Sequence, residues 1–186
     1  GGVHSIIQAD AASRRGLIPA LATTGGVMSI IVRNYGTFWE RSLVNFGKKG
    51  PGNGGALLGH SAKGTSTVDF CQQRGIYILY EGTDINLHRV TYIGQTGDGN
   101  KRLLSRLRDH TDDHLWNRWN RFSWLGLLDV GKQGKLNHSA KVTVGSVGVD
   151  TTLDQLEASL IQLMEPLLNK QGPKWHGAVE YFQGSM

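Results

Sequence analysis

The stretch GIYILYEGTDINLHRVTYIGQTG, residues 75–97, opens on Gly75-Ile76-Tyr77 and nears its end on the reverse order, Tyr92-Ile93-Gly94. Ile76 to Tyr80 are strand formers, as are Val90, Thr91, Tyr92 and Ile93. Between them EGTDINLHR is polar and turn-rich, so the two runs predict an antiparallel hairpin. Side chains alternate across a strand, which lets Tyr77 and Tyr92 place both rings on one face. On this segment alone, two half-buried strand aromatics are the simpler reading. A pair of hydroxyls held for chemistry is the other.

The chain around this hairpin has 186 residues, enough for one domain with an extension and a core that needs no staples. A single cysteine, Cys71, excludes a disulfide framework and a cysteine-rich zinc module. It points to a reducing compartment, most simply the cytoplasm. No apolar run approaches a membrane span, since the patches before residue 33 are broken by Arg14, Arg15, Pro19 and several glycines. A membrane partner is therefore not expected.

The net charge of +5 is unevenly placed. Residues 1–67 hold seven Lys or Arg against Asp10 and Glu40, while residues 68–186 balance at thirteen against thirteen. Half of the 26 glycines also precede residue 68. The expected division is a basic, Gly-rich and partly flexible extension over 1–67, followed by a neutral domain over 68–186. Within the extension, GKKGPGNGGALLGHSAKGTST reads as a mobile segment whose Lys48 and Lys49 suit a polyanion, or as an ordinary solvated linker. It lacks the Gly-Lys-Ser/Thr ending of a phosphate-binding loop, which excludes a nucleotide site there. Met28 opens a well-formed run, so residues 1–27 read as a leader or fragment edge. The last three residues, 184–186, read as a tag remnant.

After the hairpin, KRLLSRLRDH (101–110) predicts a helix. At about 100° per residue, Leu103, Leu104 and Leu107 gather on one side and Arg102, Arg106 and His110 on the other. Guanidiniums offer a planar donor fork to a phosphodiester, and a solvated basic face is the alternative. His110 and His114 have HxxxH spacing, but no third zinc ligand is evident. In HLWNRWNRFSWLG, Arg118 and Arg121 interleave with tryptophans that could stack on bases. RFSWLGLLDV predicts a third strand with Trp124 in the core, and Trp116 and Trp119 stay open.

TLDQLEASLIQLMEPLLNKQGP predicts a second helix, ended by Pro166. Leu153, Leu156, Leu160, Ile161, Leu163 and Met164 form its apolar face, with Asp154 on the polar one. Glu157 falls inside the apolar face. A carboxylate there costs several kcal/mol unless paired, so it needs a cation, either a buried arginine or a divalent metal.

Read in order, these residues resemble the GIY-YIG endonuclease family over residues 68–183. GIY is followed about fifteen residues later by YIG, then by Arg with His four on. A lone Glu follows, with Asn twelve residues beyond it in a helix-Pro-x-x-Asn context. Here these are Tyr77, Tyr92, Arg106, His110, Glu157 and Asn169. VDFCQQRGIYILY, HLWNRWNRFSWLG and EPLLNKQGP are more similar to stand-alone bacterial, restriction-like members than to repair incision proteins. GDGNKRLLSR lengthens the usual YIG-to-Arg interval, so Arg102 competes with Arg106; Arg106 is preferred because His110 follows it by four.

The resemblance implies an α+β fold with a three-stranded antiparallel sheet flanked by helices. It implies an endonuclease that hydrolyses double-stranded DNA with one Mg²⁺ or Mn²⁺ held by Glu157, in restriction or defence. Arg106 would neutralise transition-state charge, Tyr77 would take the proton of the attacking water, and Tyr92 and His110 would orient water and phosphate. Asn169 would brace the site. Arg102, Arg108, Arg118, Arg121, Lys48 and Lys49 would hold DNA. A tyrosine near pKa 10 is a poor base unless the metal or Arg106 lowers it. An inactive DNA-binding module of the same fold and a repair incision nuclease are the alternatives. Monomer and homodimer both stay open.

Overall fold

A strand in the interior of the sheet explains why the hairpin decides the fold. In β4 (Gly75–Glu81) every residue from Gly75 to Tyr80 is buried. A strand covered on both faces needs a continuous apolar run, and GIYILY supplies one. The computed structural model describes residues 31–48, 54–60, 67–82, 89–97, 100–131, 133–138 and 148–170. Among them β5 (Arg89–Gln95) returns antiparallel to β4, with Tyr77 opposite Gly94 and Leu79 opposite Tyr92. The expected third strand, β6 (Arg121–Gly126), lies on the other flank of β4, with Trp124 opposite Tyr77.

The sheet has four strands rather than three, in the order β1-β6-β4-β5. The added strand, β1 (Asn34–Glu40), lies within the stretch read as an extension and pairs antiparallel with β6. Without it the outer backbone edge of β6 would be open beside the buried Phe122 and Trp124. Instead Trp39 stands edge-on to Trp124 at 5.5 Å, and the Arg121 guanidinium pairs with Glu40 at 2.9 Å. The two strands slip register between Gly36 and Trp39, where Phe38 takes φ 55° and donates its N–H to Ser123 Oγ. The glycine-rich segment also packs in part. Leu57 is fully buried, and β2 (Leu58–His60) pairs with β3 (Thr67–Asp69) as a separate two-stranded sheet. Lys49, residues 1–27 and residues 184–186 lie outside the described residues.

Two helices cover opposite faces. α1 (Leu103–Asp109) buries Leu103, Leu104 and Leu107 beside Tyr77, Leu79, Phe122 and Trp124, as its spacing predicts. α2 (Val149–Met164) buries Leu153 against Ile76, Ile78, Tyr80 and Ile93, with Leu156, Leu160 and Ile161 packed alongside. Its expected apolar face is too wide. Leu163 is 82% exposed and Met164 40%, because the last turn runs beyond the sheet. The helix stops before Pro166 with Glu165 left-handed at φ 43°. Trp119 and Trp124 are buried, whereas Trp116 is 53% exposed. Among the described residues no helix is long and apolar enough to cross a membrane.

Candidate active site

Period-two alternation brings Tyr77 and Tyr92 to the α1 face of the hairpin, with ring centroids 6.2 Å apart. A Cβ on Gly94 would stand 2.4 Å from the Tyr77 hydroxyl, so glycine is what lets that phenol lie flat across β5. Above it, the end of α1 delivers His110, whose Nε2 is 2.8 Å from the Tyr77 oxygen. His110 Nδ1 is in turn 2.6 Å from Asp113 Oδ2. The imidazole also packs edge-on to Tyr92 at 5.1 Å.

The electrostatics differ within this cluster. Burial holds the Tyr77 phenol well above its ordinary value near 10, and Tyr92 adds to the rise while Arg106 opposes it. Tyr77 is 0% exposed, so Arg106 does not make it an accessible base. The Tyr77 hydroxyl, expected to take the proton of the attacking water, lies under Gly94 and faces His110. Tyr92 is only half-buried. Burial raises its pKa first and the Glu157 charge second, while at Tyr77 the Glu157 effect ranks behind those of Tyr92 and Arg106. Burial also pushes His110 below its ordinary 6.5, against the opposing pull of Asp113, which keeps the imidazole neutral at pH 7.

Beside the tyrosines is a cleft of about 320 Å³ lined by Gln95, Gly97, Arg106, Asp150, Asp154 and Glu157. Gln95 joins its two walls. Its main-chain oxygen accepts from Arg106 Nε at 3.0 Å, and its Nε2 donates to Asp154 at 2.7 Å and to Glu157 at 2.8 Å. Only the NH₂ end of the amide, with two hydrogens, can face two carboxylates. Glu157 is thus half-buried and turned to the Gln95 amide at the cleft. Asp150 is held by Arg74 at 2.8 Å. Arg74 also donates to the Gly97 carbonyl, closing the cleft at its end.

Asn169 spans the open edge of β5. Its Oδ1 accepts from Ile93 N–H at 2.9 Å and its Nδ2 donates to Ile93 O at 2.8 Å. Leu168 N–H pairs with Thr91 O, so the chain after Pro166 acts as a short edge cover. The Asn169 amide is thus clamped on the strand between Tyr92 and Gly94.

Comparison with models of protein families, with curated proteins and with solved structures returned no match.

Other sequence-derived candidates are placed elsewhere. Arg102 caps α1, its N–H bonded to Ser105 Oγ, which leaves Arg106 as the arginine of the cleft. Arg108 donates to the carbonyls of Phe46 and Gly54, tying the first segment to α1. Arg121 bonds Glu40 and Phe38 O and lines a pocket with Trp39, Leu57 and Leu58. Arg118 is 45% exposed at its side chain and lies 3.8 Å from Glu81, and Lys48 is exposed. A zinc ion shared by His110 and His114 does not fit, since both nitrogens of His110 are engaged and His114 is exposed. Among the described residues, no group of three or more His, Cys, Asp or Glu gathers for a metal.

Gln95, Asp113, Asp150 and Asp154 were not singled out from sequence. Asp154 had a legible signal, lying three residues before Glu157 and hence one turn away on the same helix flank. Gln95 had a weaker one, two residues after Ile93 and so on the α2 side of the sheet.

Proposed function

We propose that this protein is a metal-dependent DNA endonuclease of GIY-YIG type. The observation that carries the reading is the meeting of Arg106 and Glu157 in one cleft beside the Tyr77–Tyr92–His110 cluster. These residues come from β4, β5, α1 and α2, and their sequence order alone does not oblige them to converge.

The donor chemistry fits a hard divalent cation such as Mg²⁺. Glu157 and Asp154 offer carboxylate oxygens at one amide nitrogen, and Mg²⁺ usually keeps several waters on one or two carboxylates. With Asp150 paired to Arg74, Asp154 and Glu157 against Arg106 would also repel a phosphate from this cleft without a cation between them. Once bound there, the cation supplies charge neutralisation at the phosphate and the leaving oxygen.

The chain's own groups divide the remaining work. Arg106, anchored by Gln95 O, directs its guanidinium to the charge that builds on the phosphoryl oxygens. Tyr92, half-buried beside Tyr77, takes the proton of the attacking water as its own phenolic proton passes to the Tyr77 oxygen. Tyr77 passes a proton to the neutral His110 Nε2, and Asp113 steadies the imidazolium that results. Asn169 keeps the Tyr92–Gly94 strand in register. Double-stranded DNA as the partner, and a role in restriction or defence, follow from the resemblance to the stand-alone bacterial members.

The test is incubation of the purified chain with supercoiled plasmid in Mg²⁺, in Mn²⁺ and in chelator. Nicked or linear product that requires the metal and ends in phosphate and hydroxyl termini is expected. A folded protein that leaves plasmid intact in both metals overturns the proposal.

A further inference from the structure

Among the described residues Asp113 is the carboxylate hydrogen-bonded to the histidine of the cluster, and both of its oxygens accept. Oδ2 lies 2.6 Å from His110 Nδ1 and Oδ1 takes the Leu115 N–H at 2.7 Å. Its main-chain oxygen accepts from Trp116 N–H at 3.1 Å. The same turn is pinned from below, because Leu115 is buried and Trp119 Nε1 donates to His110 O at 3.0 Å. The carboxylate is therefore held in one orientation by backbone that the imidazole does not control.

We propose that Asp113 is a positioning residue that sets the tautomer of His110 and so aims the Nε2 lone pair at Tyr77. A carboxylate can only accept, so the ring hydrogen resides on Nδ1. Nε2 is then bare, and the Tyr77 hydroxyl donates to it across 2.8 Å. The other groups facing the ring are Tyr92 from β5 and Arg106 and Asp109 from α1. The hydrogen-bond partner at Nδ1 is Asp113. The effect on catalysis rests on the endonuclease reading; the tautomer does not.

Asn at this position separates orientation from mere packing. It has the same shape but one acceptor oxygen, which the Leu115 N–H claims. Its NH₂ then faces His110 Nδ1 and forces the hydrogen onto Nε2. Tyr77 would have to accept a hydrogen bond it now donates, and its proton would have no acceptor.

The experiment is ¹⁵N-resolved NMR of the His110 ring in the full chain near pH 7.5, on the unaltered protein and on Asp113→Asn. We expect a protonated Nδ1 and bare Nε2 in the former and the reverse in the latter. Plasmid nicking by the variant should fall at least tenfold in kcat with KM unchanged. A hydrogen on Nε2 in the unaltered chain overturns the proposal, as does a variant whose tautomer stays the same. If Asp113→Asn melts too early to study, the ring spectrum of the unaltered chain decides alone. A chain that cuts no DNA but shows the expected tautomers removes the endonuclease reading and leaves the positioning role standing. A flipped tautomer with unchanged kcat overturns the link to catalysis.

Discussion

Gly94 and Tyr77 lie opposite each other on β5 and β4, and the Tyr77 hydroxyl occupies the space a side chain on Gly94 would need. The YIG glycine and the GIY tyrosine are thus one steric unit. Gly94→Ala places a methyl 2.4 Å from an oxygen that His110 holds from the far side. Overpacking of this kind costs about 1–3 kcal/mol. The variant should melt earlier by that amount and nick plasmid more than tenfold slower, both readable on one preparation. A normal melt with full activity would show that the ring moves aside freely.

Glu157→Gln separates charge from shape in the cleft. An amide oxygen can still accept from Gln95, and removing one of the carboxylates around that amide relieves repulsion. Stability in chelator should change by less than about 1 kcal/mol, the scale of a surface substitution, while metal-dependent cleavage is lost and DNA binding survives. A melt lowered by the roughly 3–5 kcal/mol typical of a broken buried ion pair would reassign Glu157 to structure.

Asn169→Ala removes both partners of Ile93 on a sheet edge. At about 1 kcal/mol per hydrogen bond, the loss should be near 2 kcal/mol in urea unfolding. Amide exchange at Ile93 should accelerate more than at residues on β4, which keep their ladder. Equal protection in both chains would mean that Leu168 alone seals the edge.

His110 makes stability depend on pH in a stated direction. Its folded pKa lies below the ordinary 6.5, so the unfolded chain takes up the proton first. The contribution is complete above about 6.5 and is lost as pH falls toward the folded value. His110→Gln should flatten the acid limb of a melting-temperature profile below pH 6.5. An unaltered slope would assign that limb to carboxylates.

Truncation tests what the first strand does. A chain beginning at residue 68 lacks β1 and β2, exposing the outer edge of β6 and the ring contacts of Trp39. It should aggregate or melt far below the full chain in light scattering and calorimetry. A stable, monomeric truncation would reduce β1 to an ornament of the sheet.

The hairpin, the leucine faces of α1, the third strand and the core position of Trp124 were legible in the sequence. Each follows from local periodicity, of two in strands and near 3.6 in helices, that a window of about ten residues already contains. The candidate pairings Tyr77 with Tyr92 and Arg106 with His110 were legible for the same reason. What lay beyond it needed contacts distant in sequence. Nothing within residues 34–40 announces that β6 has an open edge about 80 to 90 residues later, so the sequence alone groups this strand with the glycine-rich extension. The carbonyls and the Glu40 carboxylate that Arg108 and Arg121 bond are likewise brought to them only by the fold. The burial of Tyr77, which turns its hydroxyl from an exposed base into a donor toward His110, depends on Gly94, β6 and α1 closing around it together. Sequence spacing sets which residues share a face, whereas solvent access and hydrogen-bond direction arise only when the layers are packed.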